Sequence, residues 1–176
     1  MNRRALLLLP LLAACGFTPV YGPGGQASAF RGAVRAEDPR TDEEFAFVAR
    51  IEERLGRPSA PTYDLAYTLT SDETGLAIDG SNNITRFSVE GRLRWTLTRA
   101  DRTILSGTET GFTAYSATGS PISTLESERD AHRRLSIILA DKVIAQLLSG
   151  AASGAPMDVL DDAIEAGPFP DDLTPG

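Results

Sequence analysis

The segment "RFSVEGRLRWTLTR" (Arg86–Arg99) is the most regularly patterned stretch of the sequence. Apolar and polar side chains alternate along it, and its large apolar members are Phe87, Val89, Leu93, Trp95 and Leu97. Because successive side chains of a β-strand point to opposite faces of a sheet, this period of two predicts a half-buried strand. One face of the sheet is therefore expected to be covered, and the other face is polar.

Two further strands are predicted on either side of this one, at Thr62–Ile78 and Thr103–Ser116. Short turns at Asp79–Asn83 and Ala100–Arg102 join the three strands, so they should pair in antiparallel fashion. The last strand is weakly patterned and contains Gly107 and Gly111. Glycines inside a strand indicate a bulge or the close approach of another segment.

A short strand at Ala29–Glu37 and two helices complete the predicted domain. The first helix is expected to start at a capping box of Thr41 and Glu44, and the second at one of Ser123 and Glu126. Gly150 is expected just past the end of the second helix. The apolar face of the first helix is predicted to contain Phe45, Val48, Ile51 and Leu55.

The order strand, helix, three strands, helix predicts a two-layer α+β sandwich. Its sheet has about four strands and is mostly antiparallel, and both helices cover one face. The opposite face carries the polar side chains, and no predicted element covers it.

The first fifteen residues resemble a bacterial lipoprotein leader. Two arginines precede the apolar run 5–14, which is too short to cross a bilayer and has the size of a signal-peptide core. Leu12–Cys15 looks like a lipobox, in which the cysteine sulfur takes a diacylglycerol and the signal is cut just before it. We therefore expect residues 1–14 to be a signal peptide and Cys15 to be lipidated. The alternative is a plain signal peptide followed by a chance cysteine.

Composition divides the rest of the chain into three parts. Residues 15–28 are rich in Gly and Pro and form a lipidated tether, residues 29–150 form the α+β domain, and residues 151–176 form an acidic disordered tail. Loss of the leader would change the formal net charge from -7 to about -9, because the leader contains two arginines and no acid. Such an acidic chain is a poor ligand for nucleic acid.

The sequence offers little material for catalysis. Its single histidine, His132, lies beside an apolar row of the second predicted helix and is interpreted as a packed or boundary residue. No nucleophile motif, zinc-type spacing or phosphate-binding glycine loop occurs. We therefore predict a protein that is not an enzyme and that needs no cofactor and no metal.

The stretch "CGFTPVYG" (Cys15–Gly22), together with this order of elements, resembles the LPS-assembly lipoprotein family LptE. Members typically begin the mature chain with Cys-Gly-Phe-x-Pro-Leu-Tyr, and here Val20 replaces the leucine. The resemblance implies a non-enzymatic outer-membrane lipoprotein on the periplasmic side, which plugs the β-barrel translocon LptD and binds lipopolysaccharide. Gly16 favours the outer membrane, because inner-membrane lipoproteins often have Asp there. The alternative is a free-standing periplasmic lipoprotein that serves a lipid or solute transporter.

Two groups of residues are candidate contacts for this role. An apolar row of the second helix could face a partner or pack on the first helix, and its members are Ile137, Ile144 and Leu148. Arginines of the polar sheet face could bind the phosphates of lipopolysaccharide or pair with Glu90 and Glu109. These arginines are Arg31, Arg35, Arg92 and Arg94.

Overall fold

The computed structural model describes residues 29–78 and 83–153. The predicted signal peptide, the tether, most of the turn at Asp79–Asn83 and the tail beyond residue 153 lie outside the described residues. The domain is one four-stranded sheet with two helices packed on it. Its elements are β1 (Val34–Ala36), α1 (Asp42–Leu55), β2 (Tyr63–Ile78), β3 (Ile84–Arg99), β4 (Arg102–Ser116) and α2 (Pro121–Ser153).

The sheet has the strand order β1-β2-β3-β4, in which β1 is parallel to β2 and the other neighbours are antiparallel. The predicted α+β class and mostly antiparallel sheet are confirmed. The turn between β3 and β4 is a two-residue hairpin loop whose Ala100 and Asp101 have φ values of 48° and 63°. Two successive positive φ values are the signature of a type I′ turn, whose twist suits a tight hairpin.

The alternation that predicted β3 is what places the core. Val89, Leu93 and Leu97 of β3 are fully buried, and Leu93 and Leu97 pair in register with Leu69 and Leu65 of β2. Helix α2 packs on β3 and β4, and α1 packs on α2. The two helices therefore lie on the apolar face of the sheet, as the pattern predicts.

Two paired glycines let α2 lie directly on the sheet. Gly91 and Gly111 are partners across β3 and β4. A Cβ atom added at Gly91 would lie 2.7 Å from Cδ2 of Leu135, and one at Gly111 would lie 3.4 Å from Leu135. The close approach predicted at Gly111 is therefore real, and Gly91, inside the best-patterned strand, shares it.

The first predicted strand was too long. Only Val34–Ala36 pairs with β2, because Gly32 has a φ of 63° and turns the backbone ahead of it. The buried face of α1 also differs from the prediction, because Phe45 is 66% exposed whereas Phe47, Ile51 and Leu55 are buried. Phe47, Ile51 and Leu55 recur at intervals of four and share a helix face, whereas Phe45 lies about 200° around the helix from Phe47.

The first helix begins much as predicted. The Thr41 hydroxyl accepts a hydrogen bond of 3.2 Å from the backbone N–H of Glu44. The Glu44 carboxylate, however, accepts from the N–H of Arg40 at 2.7 Å, one residue before the cap. The predicted bond from the helix backbone to the Thr41 side chain is therefore confirmed, whereas the predicted return bond from Glu44 goes to Arg40 instead of Thr41.

Helix α2 begins and ends outside the predicted bounds. Its first residue is Pro121, and the Ser120 hydroxyl accepts a hydrogen bond of 3.3 Å from the N–H of Ser123. Ser120, rather than Ser123, therefore caps the helix. Pro121 then occupies the first helical position, which suits proline. Gly150 lies inside the helix, where an added Cβ would be 2.9 Å from Leu105. This glycine serves close packing rather than termination. Within the described residues, neither helix has the length and apolar character that a membrane crossing requires.

Candidate functional site

The uncovered face of the sheet places two arginines at its centre. Arg92 lies between Thr70 of β2 and Thr110 of β4, and Arg94 lies one step along the same face, between Thr68 and Thr108. Both side chains are exposed. Small hydroxyl neighbours leave space around each guanidinium, so this part of the face is open to a ligand.

Neither arginine forms an ion pair within 4.0 Å in the parts of the chain that the structure describes. The predicted alternative partner Glu109 pairs in register with Leu93 and so belongs to the helix-facing side. Glu90 shares the face of Arg92, but within the described ranges it makes no salt bridge with it. Two guanidinium groups are therefore available to an anionic ligand.

Arg31 and Arg35 are not part of this group. Arg35 bonds Asp64 of the neighbouring strand at 2.7 Å, and Asp64 lies four residues, or about 13 Å, before Thr68 on β2. Arg31 is exposed in the turn ahead of β1. The structure thus brings together two of the four predicted arginines and places the other two near one end of the sheet.

A shallow cavity of about 580 Å³ surrounds Arg92 and adds two residues that the sequence analysis missed. The first is Lys142 of α2, whose ammonium group reaches past the edge of the sheet and donates to the carbonyl of Thr110. The second is Phe112, which is 74% exposed. Lys142 and Phe112 lie on different elements, and they line one cavity only because of the way α2 packs on the sheet. No local sequence pattern predicts that packing.

The edge of β4 is partly closed by α2. Besides Lys142, Arg134 donates to the carbonyl of Ala114 at 3.3 Å, so two cations bond carbonyl groups of this outer strand. Cationic side chains at an edge strand discourage pairing with another chain. The other edge differs, because β1 pairs only with Tyr63–Leu65 and, within the described residues, leaves the remainder of β2 without a neighbour on that side.

A groove of about 680 Å³ runs between the two helices. Its apolar residues include the exposed Phe45 and the half-buried Ile137. Near it, the Arg50 guanidinium binds both carboxylate oxygens of Asp141, at 2.9 and 3.0 Å, and so ties α1 to α2. These hydrogen bonds, together with one to Glu53, raise the pKa of Arg50 above its ordinary value.

The predicted partner-facing row of α2 separates into different environments. Ile144 is only 2% exposed and belongs to the core, and Leu148 packs against that core. Ile137 faces the groove. Burial in the core therefore accounts for Ile144 and for much of Leu148, whereas the alternative stated from the sequence was packing on the first helix.

Exposed apolar side chains collect instead at one end of the sandwich. Leu76 near the end of β2 and Ile84 at the start of β3 are exposed, and so are Ile122 and Leu125 in the first turns of α2. All four lie on segments at the same end of the sandwich, since β4 ends beside the start of β3 and α2 begins five residues later. We call these four residues the apolar end.

His132 lies beside the groove, between the carboxylates of Glu43 and Glu73. Its Nδ1 atom is 2.8 Å from Oε1 of Glu43 on α1, and its Nε2 atom is 2.8 Å from Oε1 of Glu73 on β2. The hydroxyl of Tyr115 donates to the other oxygen of Glu73 at 3.0 Å. Burial, foremost, and this hydrogen bond raise the pKa of Tyr115 to about 12. With a side chain 17% exposed, His132 is a boundary residue, as the sequence indicates.

The sequence model of the lipopolysaccharide-assembly family LptE matches residues 32–147, about two thirds of the chain. The chain belongs to the LptE family. The match begins just ahead of β1, includes all four strands and α1, and ends inside α2. No curated protein matches the sequence.

Solved structures share the LptE fold of this chain at low sequence identity. A lipoprotein of Caulobacter crescentus CB15 matches with a TM-score of 0.59 at 14% identity, over 72% of this chain and 96% of that one. Rare lipoprotein B of Shewanella oneidensis matches with a TM-score of 0.54 at 9% identity, over 69% and 96%. A minor lipoprotein of Acinetobacter baumannii matches with a TM-score of 0.50 at 15% identity, over 66% and 89%.

Membership of the LptE family gives this chain a role in lipopolysaccharide assembly. The family is one of non-enzymatic, membrane-associated lipoproteins, and the sandwich described above is the fold that its domain takes here.

Proposed function

We propose that this chain is an outer-membrane lipoprotein, anchored through Cys15, that plugs and supports an LptD-type β-barrel translocon. In this role it binds lipopolysaccharide while the lipid is inserted into the outer leaflet. It performs no catalytic step and uses no cofactor. The observation that carries the proposal is the pair Arg92 and Arg94, two cations that, among the described residues, have no ion-pair partner and lie at the centre of a sheet face that no described element covers.

The cavity around Arg92 offers cationic and apolar contacts to an anionic amphiphile, and the carboxylates of Asp72 and Glu90, which also line it, offset part of its positive charge. Guanidinium groups bind phosphate through two parallel N–H donors, and lipid A carries phosphates. The Lys142 ammonium group adds a third cation at the strand edge, and the Phe112 ring offers apolar contact beside it. Arg35 is paired with Asp64, and Arg31 lies farther away. Both would therefore contribute less to phosphate binding, through long-range electrostatic attraction only.

The apolar end is the surface that best suits insertion into a barrel lumen. It gathers four exposed aliphatic side chains, whereas Ile144 and Leu148 of the predicted row are engaged in the core. Clustered exposed apolar side chains mark interaction sites more often than scattered ones do. Ile137 and Phe45, in the groove between the helices, provide a second apolar strip for the same partner.

The proposed assembly is tested by purifying the tagged, lipidated protein from outer membranes in mild detergent and identifying what accompanies it. A large β-barrel in stoichiometric amount is the expected result. Recovery of the protein alone would refute the plug. Recovery with subunits of an inner-membrane transporter would favour the free-standing lipoprotein that the sequence left as an alternative.

Lipopolysaccharide binding is tested separately with the purified protein. The double variant Arg92→Ala/Arg94→Ala should bind immobilised lipopolysaccharide at least ~10-fold more weakly, because two charge-assisted phosphate contacts are removed. Arg57→Ala/Arg129→Ala is a matched control, because it also removes two positive charges, and both arginines are exposed and pair with carboxylates, Arg57 with Glu52 and Arg129 with Glu126. Equal losses in the two proteins would mean that net charge, rather than the sheet face, determines binding.

A further inference from the structure

The only histidine of the chain lies where the carboxylates of two different elements meet. Glu128 and His132 are four residues apart on α2 and so share a helix face, and Glu73 of β2 points at the same place. One donor atom from each of these three residues lies within 4.8 Å of the other two. We propose that Glu73, Glu128 and His132 form a binding site for a divalent transition-metal ion of the Zn²⁺ type.

The charges at this point call for a cation. Nε2 of His132 is 2.8 Å from Oε1 of Glu73, so a proton on Nε2 forms a hydrogen bond here and a metal ion would take the place of that proton. The carboxylate of Glu128 is half-buried and, in the described parts of the chain, has no hydrogen bond or ion pair. When Nε2 carries no proton, its lone pair and the carboxylates of Glu73 and Glu128 converge, and these groups repel one another unless a metal ion lies between them.

The surroundings of these three residues have the arrangement of a supporting shell. The Tyr115 hydroxyl holds the outer oxygen of Glu73 at 3.0 Å and leaves Oε1 directed at the histidine. Oε1 of Glu43 lies 2.8 Å from Nδ1, although the N–H is not aimed at it well enough for a hydrogen bond. Glu43 is partly exposed and can rotate into line. A metal-bound histidine commonly gives its other N–H to a carboxylate in this way.

The donor set selects the class of ion. Imidazole and carboxylate ligands bind Zn²⁺ at about 2.0–2.2 Å, whereas Ca²⁺ and Mg²⁺ prefer oxygen ligands only. Three protein ligands leave a fourth position for water on the side of the groove, which Glu128 and His132 also line. Such an ion would cross-link α2 to β2 beyond the part of β2 that β1 covers.

The test uses the lipidated chain with every affinity tag removed, in detergent free of lipopolysaccharide. Lipidation blocks the thiol of Cys15, and tag removal leaves His132 as the sole imidazole, so its ¹⁵N resonances report on one site. ZnCl₂ titrated at constant pH should shift the Nε2 resonance and saturate at one ion per chain. Glu128→Gln should weaken the affinity by ~10-fold or more, a loss typical of damaged metal sites.

Glu126→Gln is the matched control, because Glu126 lies on the same helix and pairs with Arg129. It should bind Zn²⁺ as the parent chain does. The proposal fails if Zn²⁺ leaves the Nε2 resonance unchanged, or if Glu128→Gln and the parent bind equally. Glu73→Gln gives a second test in case one variant folds poorly. The arginines of the sheet face play no part here, so this result is independent of lipopolysaccharide binding.

Discussion

A methyl group added at Gly91 tests whether α2 is seated on the sheet as described. The added Cβ would lie 2.7, 3.1 and 3.2 Å from three carbon atoms of Leu135, which is 1% exposed and has little room to move. Crowding of this kind in a packed core costs about 1–3 kcal/mol. Alanine also restricts the unfolded chain, which returns about 0.4–1 kcal/mol. We therefore expect Gly91→Ala to lower the free energy of unfolding by roughly 1–2 kcal/mol.

The control for this prediction is the glycine directly across the sheet. At Gly111 the nearest atoms to an added Cβ are 3.4 Å away, in ordinary contact, so Gly111→Ala should be close to neutral. Urea unfolding monitored by circular dichroism gives both values. A loss at Gly111 as large as that at Gly91 would contradict the described packing.

A double-mutant cycle shows whether Leu135 is the group that is crowded. Leu135→Ala removes the contact and should itself cost about 2–5 kcal/mol through the cavity that it leaves. In that background Gly91→Ala should cost nothing, because its methyl group enters the vacated space. The coupling between two residues in contact should therefore be about 1–2 kcal/mol. Equal costs of Gly91→Ala in both backgrounds would refute the reasoning, since the strain would then come from the strand.

Three further outcomes are expected. Arg50→Ala should lower the unfolding free energy by about 1 kcal/mol, because it removes a bidentate but partly exposed ion pair. Adding Asp141→Asn to this variant should cost little more. Additive losses in urea unfolding would contradict the pairing. Burial, first, and the nearby carboxylates of Glu44 and Glu37 raise the pKa of Tyr67 to about 12. The unfolded tyrosine ionises near pH ~10, so stability should be complete below that pH and fall as the pH rises towards 12; urea midpoints at several alkaline pH values should fall less steeply in Tyr67→Phe. Ser120→Ala should lower the melting temperature through the loss of the α2 cap, worth about 1 kcal/mol, whereas Ser123→Ala should have a smaller effect.

The sequence predicts the features of the fold that depend on local periodicity. The alternation in β3 and the residues of the β3–β4 turn sufficed to place both, because the side-chain period and the turn type are set by neighbours in the chain. The predicted burial of Phe45 is wrong because apolar residues lie on more than one face of α1, and only packing against the rest of the domain selects the face that contains Phe47. The prediction that Gly150 follows the end of the helix is wrong because its packing partner, Leu105, is distant in sequence.

The candidate sites divide in the same way. Arg92 and Arg94 could be assigned to the polar face because they alternate with buried residues of a single strand. Lys142 could not be added, because it reaches their cavity only through the orientation of α2 over the edge of β4. The convergence of Glu73 with Glu128 and His132 likewise needs two elements whose relative position is a property of the whole fold.

The lengths of the elements explain why the apolar end is left exposed. Strands β2 and β3 have 16 residues each and extend about 53 Å, and the 33 residues of α2 extend about 50 Å, so α2 alone can follow the sheet along its length. Helix α1 has 14 residues, or about 21 Å, and it begins near Glu73 and ends near β1. Among the described elements, the sheet beyond Glu73 therefore has one helix for cover instead of two. Aliphatic side chains there lack a second layer, which a partner inserted at that end would supply, while the arginine face remains free along the side.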